Sequence, residues 1–252
     1  TKVGIYSFWR VHSGVFGENA GSLANIAQVW ITPLAWLTVV AGTIAVLSSQ
    51  SLRTLTANLV IVSVGSLLLM VSINTELAAT AGIYYLIHST LACAMMFLIA
   101  DLIIKQRGKA EDRFVISRPV SQARLLSLLY FFAALALIGM PPLSGFIGKA
   151  FMLKAALEAS NAAWIWPPIL ISSLAAMIIL SRAGSSIFWR AKGEASAHAQ
   201  AHPYQLIAIT LLACALISMV VLGGPFSEIS SQAAEDIFNL GDVLTSAEHN
   251  NV

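Results

Sequence analysis

The chain has 252 residues, of which 58% are hydrophobic and only 10% charged, and its mean hydropathy is +0.80. Soluble proteins carry about 25% charged residues, so the composition excludes an ordinary soluble domain. A net charge of +2 says nothing about nucleic acid, and no basic tract points to it as a partner. Cys93 and Cys214 sit in separate apolar runs, which argues against a disulfide or a metal pair.

The apolar residues fall in runs near 20 long, the length that crosses about 30 Å of hydrocarbon at 1.5 Å per residue. Seven crossings are predicted, at residues 1 to about 17, 29–48, 55–73, 77–104, 122–157, 163–188 and 204–223. The first is already under way at Thr1, so the chain reads as a piece of a longer protein that lacks its N-terminal part. Pro33, Pro167 and Pro168 fall near crossing starts, where a missing N–H costs little. The fifth crossing is too long for a straight helix, because its 36 residues would extend about 54 Å. Pro141 and Pro142 resolve this by opening a break over residues 139–145, Gly145 included, and splitting the crossing into two half-helices. In lipid, open backbone survives only where protein buries it or where it lines a watery cavity. A broken helix of this kind is how ion carriers build a site.

Connections 49–54, 105–121 and 189–203 carry Arg53, Lys105, Arg107, Lys109, Arg113, Arg118, Arg190 and Lys192. Connections 18–28, 74–76 and 158–162 and the tail carry no Lys or Arg. The positive-inside rule makes the first set cytoplasmic. The chain therefore divides into a membrane domain, 1–223, and an acidic, extracytoplasmic tail, 224–252. In the tail Ile229, Ala233, Ile237 and Leu240 recur at helical spacing beside Glu228, Glu235, Asp236, Asp242 and Glu248. Either a solvated end or a short partner-contacting helix fits that pattern.

A charge at midmembrane costs at least about 2.5–3.5 kcal/mol, so each one needs a reason. Asp101 with Lys105, and Lys154 with Glu158, are i,i+4 pairs at crossing ends and read as structural. Arg182, two turns before Arg190, lies within reach of the cytoplasmic interface and reads first as structural and second as an accessory site residue. Lys149 differs, because Glu158 marks the boundary nine residues on, about 13.5 Å away along a helix. A lysine that deep must face other helices, a carboxylate or water, and it is the primary candidate for proton carriage. His88 lies near the midplane too, beside Tyr85, Ser89 and Thr90, where a relay outweighs simple packing. Lys2 lies about 12 Å inward of Arg10 and His12, which mark the outer end of the first helix, and is the third candidate. Tyr85 and Ser89 are accessory. No second His or Cys stands at ligand spacing, so neither a metal nor a catalytic group is assigned.

Together these segments resemble the antiporter-like subunits shared by multisubunit Na⁺/H⁺ antiporters and respiratory complex I. Thr1-Lys-Val-Gly-Ile-Tyr-Ser-Phe-Trp-Arg10 is similar to the family's lysine-bearing eighth helix, and Ser63-Val-Gly65 to the Ser-x-Gly of its tenth. Tyr84-Tyr-Leu-Ile-His88 is similar to the histidine-bearing eleventh helix, and Gly139-Met-Pro-Pro-Leu-Ser-Gly-Phe-Ile-Gly-Lys149 to the broken twelfth. Leu59–Gly65, Tyr85–Leu91 and Ala100-Asp-Leu102 bring the chain nearest to the D-type branch of the Mrp/Pha cation antiporters. The likeness runs over about residues 1–190. One departure is Ala92, where many complex I relatives carry a lysine four residues after the histidine.

The resemblance implies an all-α polytopic protein of 14 helices, of which this chain supplies helices eight to fourteen. It also implies a lysine–histidine–lysine axis along the membrane centre, here Lys2, His88 and Lys149. The family's acidic residue on helix five and its lysine on helix seven would precede residue 1. The implied activity is proton translocation coupled to Na⁺ or another monovalent cation, in a bacterial inner membrane, beside A, B, C, E, F and G type subunits. The alternative is a proton-pumping subunit of a complex I-like oxidoreductase or membrane-bound hydrogenase. Redox chemistry would then belong to partners, since the chain shows no dinucleotide fingerprint, haem motif or cluster cysteines and needs no cofactor of its own. A membrane scaffold is the third class, and it has no use for a proline break with two midmembrane ionisable groups.

Overall fold

The structure, a computed structural model, describes residues 1–16, 27–159, 161–193 and 203–249. Its elements are helical: α1 (Lys2–Gly14), α2 (Gln28–Ser48), α3 (Leu52–Ile73), α4 (Glu76–Arg107), α5 (Ala123–Ile138), α6 (Ser144–Glu158), α7 (Ala162–Gly184), α8 (Pro203–Val221) and α9 (Gly223–His249). The one extended pairing among the described residues is an isolated antiparallel bridge between Ser51 and Arg113. Most of the expected connection 18–28, residue 160, and residues 194–202 of the connection 189–203 lie outside the described residues.

Five of these helices, α2, α3, α4, α7 and α8, are long and apolar enough to cross a membrane by length and composition. The expected number was seven. The shortfall is one of length: α1 has 13 residues and α5 and α6 have 16 and 15, so they rise only about 20–24 Å each. The long fifth run is interrupted where the two prolines stand, but the non-helical link is 139–143 rather than 139–145, and Gly145 lies in the first turn of α6.

Helix α4 is the axis of the bundle. Its 32 residues rise about 48 Å, and buried residues occur all around it. Thr75 Oγ1 caps its start by accepting from the Ala78 N–H at 3.3 Å, and Arg107 ends it. Helices α3, α5, α6, α8 and α9 pack around it. Two apolar clusters result, one on each half of its length: one is centred on Leu55, Met96, Tyr130 and Leu180, the other on Trp9, Met70, Ala81 and Met152. Helix α1 docks on the second through a stripe at helical spacing, Lys2, Ile5, Trp9 and His12. Trp9 enters a notch that only glycine can offer, because a Cβ on Gly82 would lie 2.5 Å from its ring. His12 stands in the last turn of α1, as expected of a residue near its end, and is buried there with its Nε2 3.1 Å from Gln28 Oε1.

One further expectation needs correction, and one reading left open is decided. Pro33, Pro167 and Pro168 stand at the sixth or seventh position of their helices, past the first turn, so each deletes an intrahelical bond. For Pro168 the orphaned carbonyl is that of Trp164, and Trp36 Nε1 donates to it at 2.8 Å, which ties α2 to α7. The tail is a packed helix rather than a solvated end. Its buried face is Ser230, Ala234 and Ile237 against α1 and α4, whereas Ile229 is exposed. The side chains of Leu240, Asp242 and Glu248 lie outside those described.

The link from α4 to α5 is built by charge. Arg107 is buried, and its guanidinium donates to Ser117 Oγ and to the carbonyls of Glu111, Arg113 and Val115 at 2.6–3.1 Å. Asp112, also buried, accepts from the Arg53 N–H at 2.6 Å and so caps the start of α3. Both expected i,i+4 pairs form, Lys105–Asp101 at 2.6 Å and Lys154–Glu158 at 3.6 Å.

Candidate functional site: an ionisable string at the helix break

The break exposes backbone. Gly139 closes α5 in the left-handed region (φ 83°), and its N–H and that of Met140 bond back into the last turn. Pro141 and Pro142, joined by a cis peptide, cannot donate, so the carbonyls of Leu137 and Ile138 have no helical partner. Lys149, a turn and a half into α6, folds back to fill that role. Its Nζ donates to the Ile138 carbonyl at 2.7 Å, the Leu137 carbonyl at 3.4 Å and Ser173 Oγ of α7 at 2.8 Å. The negative end of the α5 dipole thus faces the amine.

His88 spans the same break from α4. Its Nδ1 lies 2.9 Å from Ser144 Oγ at the start of α6, and its Nε2 side faces Gly145 and the Ala136 carbonyl at the end of α5. A carbonyl only accepts, so the neutral ring holds its proton on Nε2 and accepts a hydrogen bond from the Ser144 hydroxyl at Nδ1. Gly145 is needed for this contact. A Cβ there would stand 2.8 Å from His88 Nε2 and run into the Ala136 carbonyl oxygen.

Lys2 completes the string from α1. It is buried, and its Nζ donates to Ser89 Oγ at 2.7 Å, while Ser89 donates on to the Tyr85 carbonyl at 2.7 Å. Tyr85, His88 and Ser89 share a face of α4 by their i, i+3, i+4 spacing, and the Tyr85 ring lies 6.0 Å from the imidazole. A cavity of about 20 Å³ joins them, lined by Lys149, His88, Ser89 and Tyr85 and, on other helices, Ser63, Ser66 and Ser172. About 10–15 Å³ admits one water, so the space is at the scale of one solvent molecule.

The structure therefore brings Lys149, His88, Ser89 and Tyr85 to one cavity and Lys2 to its edge. Pro141 and Pro142 are exposed and contribute by what they deny the backbone. Arg182 is elsewhere, exposed near Ser48 and Arg113. Sequence reasoning missed Ser144, Ser172, Ser173 and Ser66, since a serine in an apolar run carries no periodic signal. Among the described residues no group of three or more His, Cys, Asp or Glu could hold a metal ion.

The sequence pattern of the family described as "NADH:quinone oxidoreductase/Mrp antiporter, TM" matches residues 1–179. The chain belongs to this family. It is 30% identical over 266 residues to the D subunit of a probable K(+)/H(+) antiporter of Rhizobium meliloti (strain 1021), covering 94% of this chain and 49% of that relative. It is 31% identical over 194 residues to the D subunit of the Na(+)/H(+) antiporter of Bacillus subtilis (strain 168), covering 77% of this chain and 38% of that relative. The chain thus spans half or less of the length of these relatives. Its fold is shared with a chain of the Mrp complex from Dietzia sp. DQ12-45-1b, with TM-score 0.75 and 20% identity over 95% of this chain and 52% of that one. Family and apolar helices together make it a multi-pass membrane protein of antiporter-subunit type.

Proposed function

We propose that this family member is a proton-translocating membrane subunit of a multisubunit monovalent cation/proton antiporter, with Lys149, His88 and Lys2 as the groups that pass the proton. The carrying observation is the helix break itself. Lys149 holds the carbonyls freed from α5, His88 bridges α5 and α6, and Ser89 links α4 to Lys2. Two like charges about 8 Å apart at an effective dielectric constant near 20 repel by roughly 2 kcal/mol, more than one pKa unit. Loading one group therefore changes occupancy at the next without large backbone motion. Lys149 moves between the α5 carbonyls and the cavity, and the serine hydroxyls relay as donors and acceptors.

In this reading α5 and α6 are two halves of one interrupted crossing, the basic connections face the cytoplasm, and α9 lies on the outer side. The chain works in a bacterial inner membrane beside the other antiporter subunits. The names of the relatives favour H⁺ exchanged for K⁺ or Na⁺. It is a transporter component and not an enzyme. The family's description also names NADH:quinone oxidoreductase, so proton pumping in a complex I-like assembly is the second reading. Exchange measured in everted vesicles of cells expressing the intact complex decides: cation addition should collapse a preformed pH gradient, and Lys149→Ala should prevent it. A gradient that only electron donors can drive would favour the second reading.

A further inference from the structure

We propose that the cavity between the α2–α3 corner, residues 113–115 and the last turn of α7 holds the phosphate-bearing headgroup of an anionic phospholipid. The cavity measures about 560 Å³, within the range of small-molecule sites, and Arg113, Arg182, Ser48, Gln50, Leu47 and Val115 are among its walls. A second cavity of about 460 Å³ shares Ser48, Gln50 and Arg113 with it.

The two arginines have weak claims elsewhere. Arg113 meets Glu111 at 3.8 Å with both side chains at least half exposed, a pairing of little value in water. Arg182 has no acidic partner among the described residues. Two guanidinium groups turned to one cavity repel unless an anion lies between them, and their forked donors match phosphate oxygens.

Free phosphate and a lipid headgroup share this chemistry, and the rim favours the lipid. Leu47 and Val115 in the wall are nearly half exposed, at 44% and 47%. Ile44, one turn before Leu47, and Ile178, one turn before Arg182, extend that apolar surface along α2 and α7, which pack together. A small anion gains nothing from such a rim, whereas acyl chains do. The cavity also lies at the end of the bundle that carries the basic connections, where anionic headgroups collect.

The test uses the protein purified in detergent, with phosphatidylglycerol occupancy read by native mass spectrometry. Phosphatidylglycerol should bind. Arg182→Ala and Arg113→Ala should each weaken it about fivefold, and the pair of changes roughly 25-fold. Arg182→Lys should keep only part of the binding, by charge without the fork, and Arg182→Gln replaces the alanine variant if that one fails to fold. Phosphatidylcholine should show no dependence on either arginine, and millimolar inorganic phosphate should not displace the lipid. Unchanged occupancy in the folded double variant, or equal binding of phosphatidylcholine, would overturn the proposal. Displacement by inorganic phosphate would overturn it too, by making this a small-anion site.

Discussion

Lys149 Nζ lies 2.7 Å from the carbonyl oxygen of Ile138, eleven residues earlier in the chain and on the other side of the proline break. One side chain thus replaces hydrogen bonds that the prolines remove, so the carbonyls that the break frees are the ones that hold the amine. In the proposed reading, the contact that completes the break also holds the proton-carrying amine.

Substitution at Lys149 follows from that coupling. Lys149→Ala should abolish cation/proton exchange in everted vesicles, with the protein still present in membranes at near-normal amount. Lys149→Arg should be nearly as inactive, because a guanidinium satisfies the carbonyls but stays protonated. Wild-type exchange by the arginine variant would reduce Lys149 to a fixed charge.

His88→Ala should cut exchange sharply while leaving the amount of assembled protein unchanged. Ser144→Ala is the finer probe. Removing the hydroxyl leaves His88 Nδ1 without its donor, so exchange should fall several-fold, and Ser144→Thr should restore it. Equal rates in Ser144→Ala and the parent would mean that this hydrogen bond plays no part.

Gly145→Ala should destabilise the chain by about 1–3 kcal/mol, since the added methyl meets both the imidazole and the Ala136 carbonyl in a packed site. The measurement is the thermal unfolding midpoint in detergent. An unshifted midpoint would show that α5 and α6 separate freely.

Arg107→Ala removes the donors that gather four acceptors of the 108–117 segment. A loss of roughly 2–3 kcal/mol is expected, with limited proteolysis cutting within 108–121 before any other site. Arg107→Lys should rescue only in part, because an ammonium cannot fork. Protease resistance equal to the parent's would remove Arg107 from its organising role.

Lys109→Cys should react with a membrane-impermeant maleimide in everted vesicles and stay unlabelled in intact cells. Labelling from outside would invert the proposed orientation.

Length and polarity made much of this fold legible. A 36-residue apolar run with two prolines can only be a broken helix, and a lysine nine residues inward of Glu158 has no simple route to water. Other features depend on contacts between distant positions. Ser173 is 24 residues from Lys149 and Ser144 is 56 from His88, so nothing local announces either partner. The tail was legible only in part: Ile229 and Ile237 belong to one periodic pattern, but only Ile237 is buried, in line with Ser230 and Ala234. Three prolines were read too leniently. At Pro168 the cost is relieved by Trp36, which is remote in sequence.

The indole of Trp9 has a consequence beyond filling space. Seven residues separate it from Lys2, two turns on the same stripe of α1, which is about 10.5 Å of rise. Wedged against Gly82, the ring acts as a depth stop for the whole helix. A slip of one turn, about 5.4 Å, would carry the amine clear of Ser89. The height of the Lys2 amine is therefore gauged by an aromatic ring that never titrates.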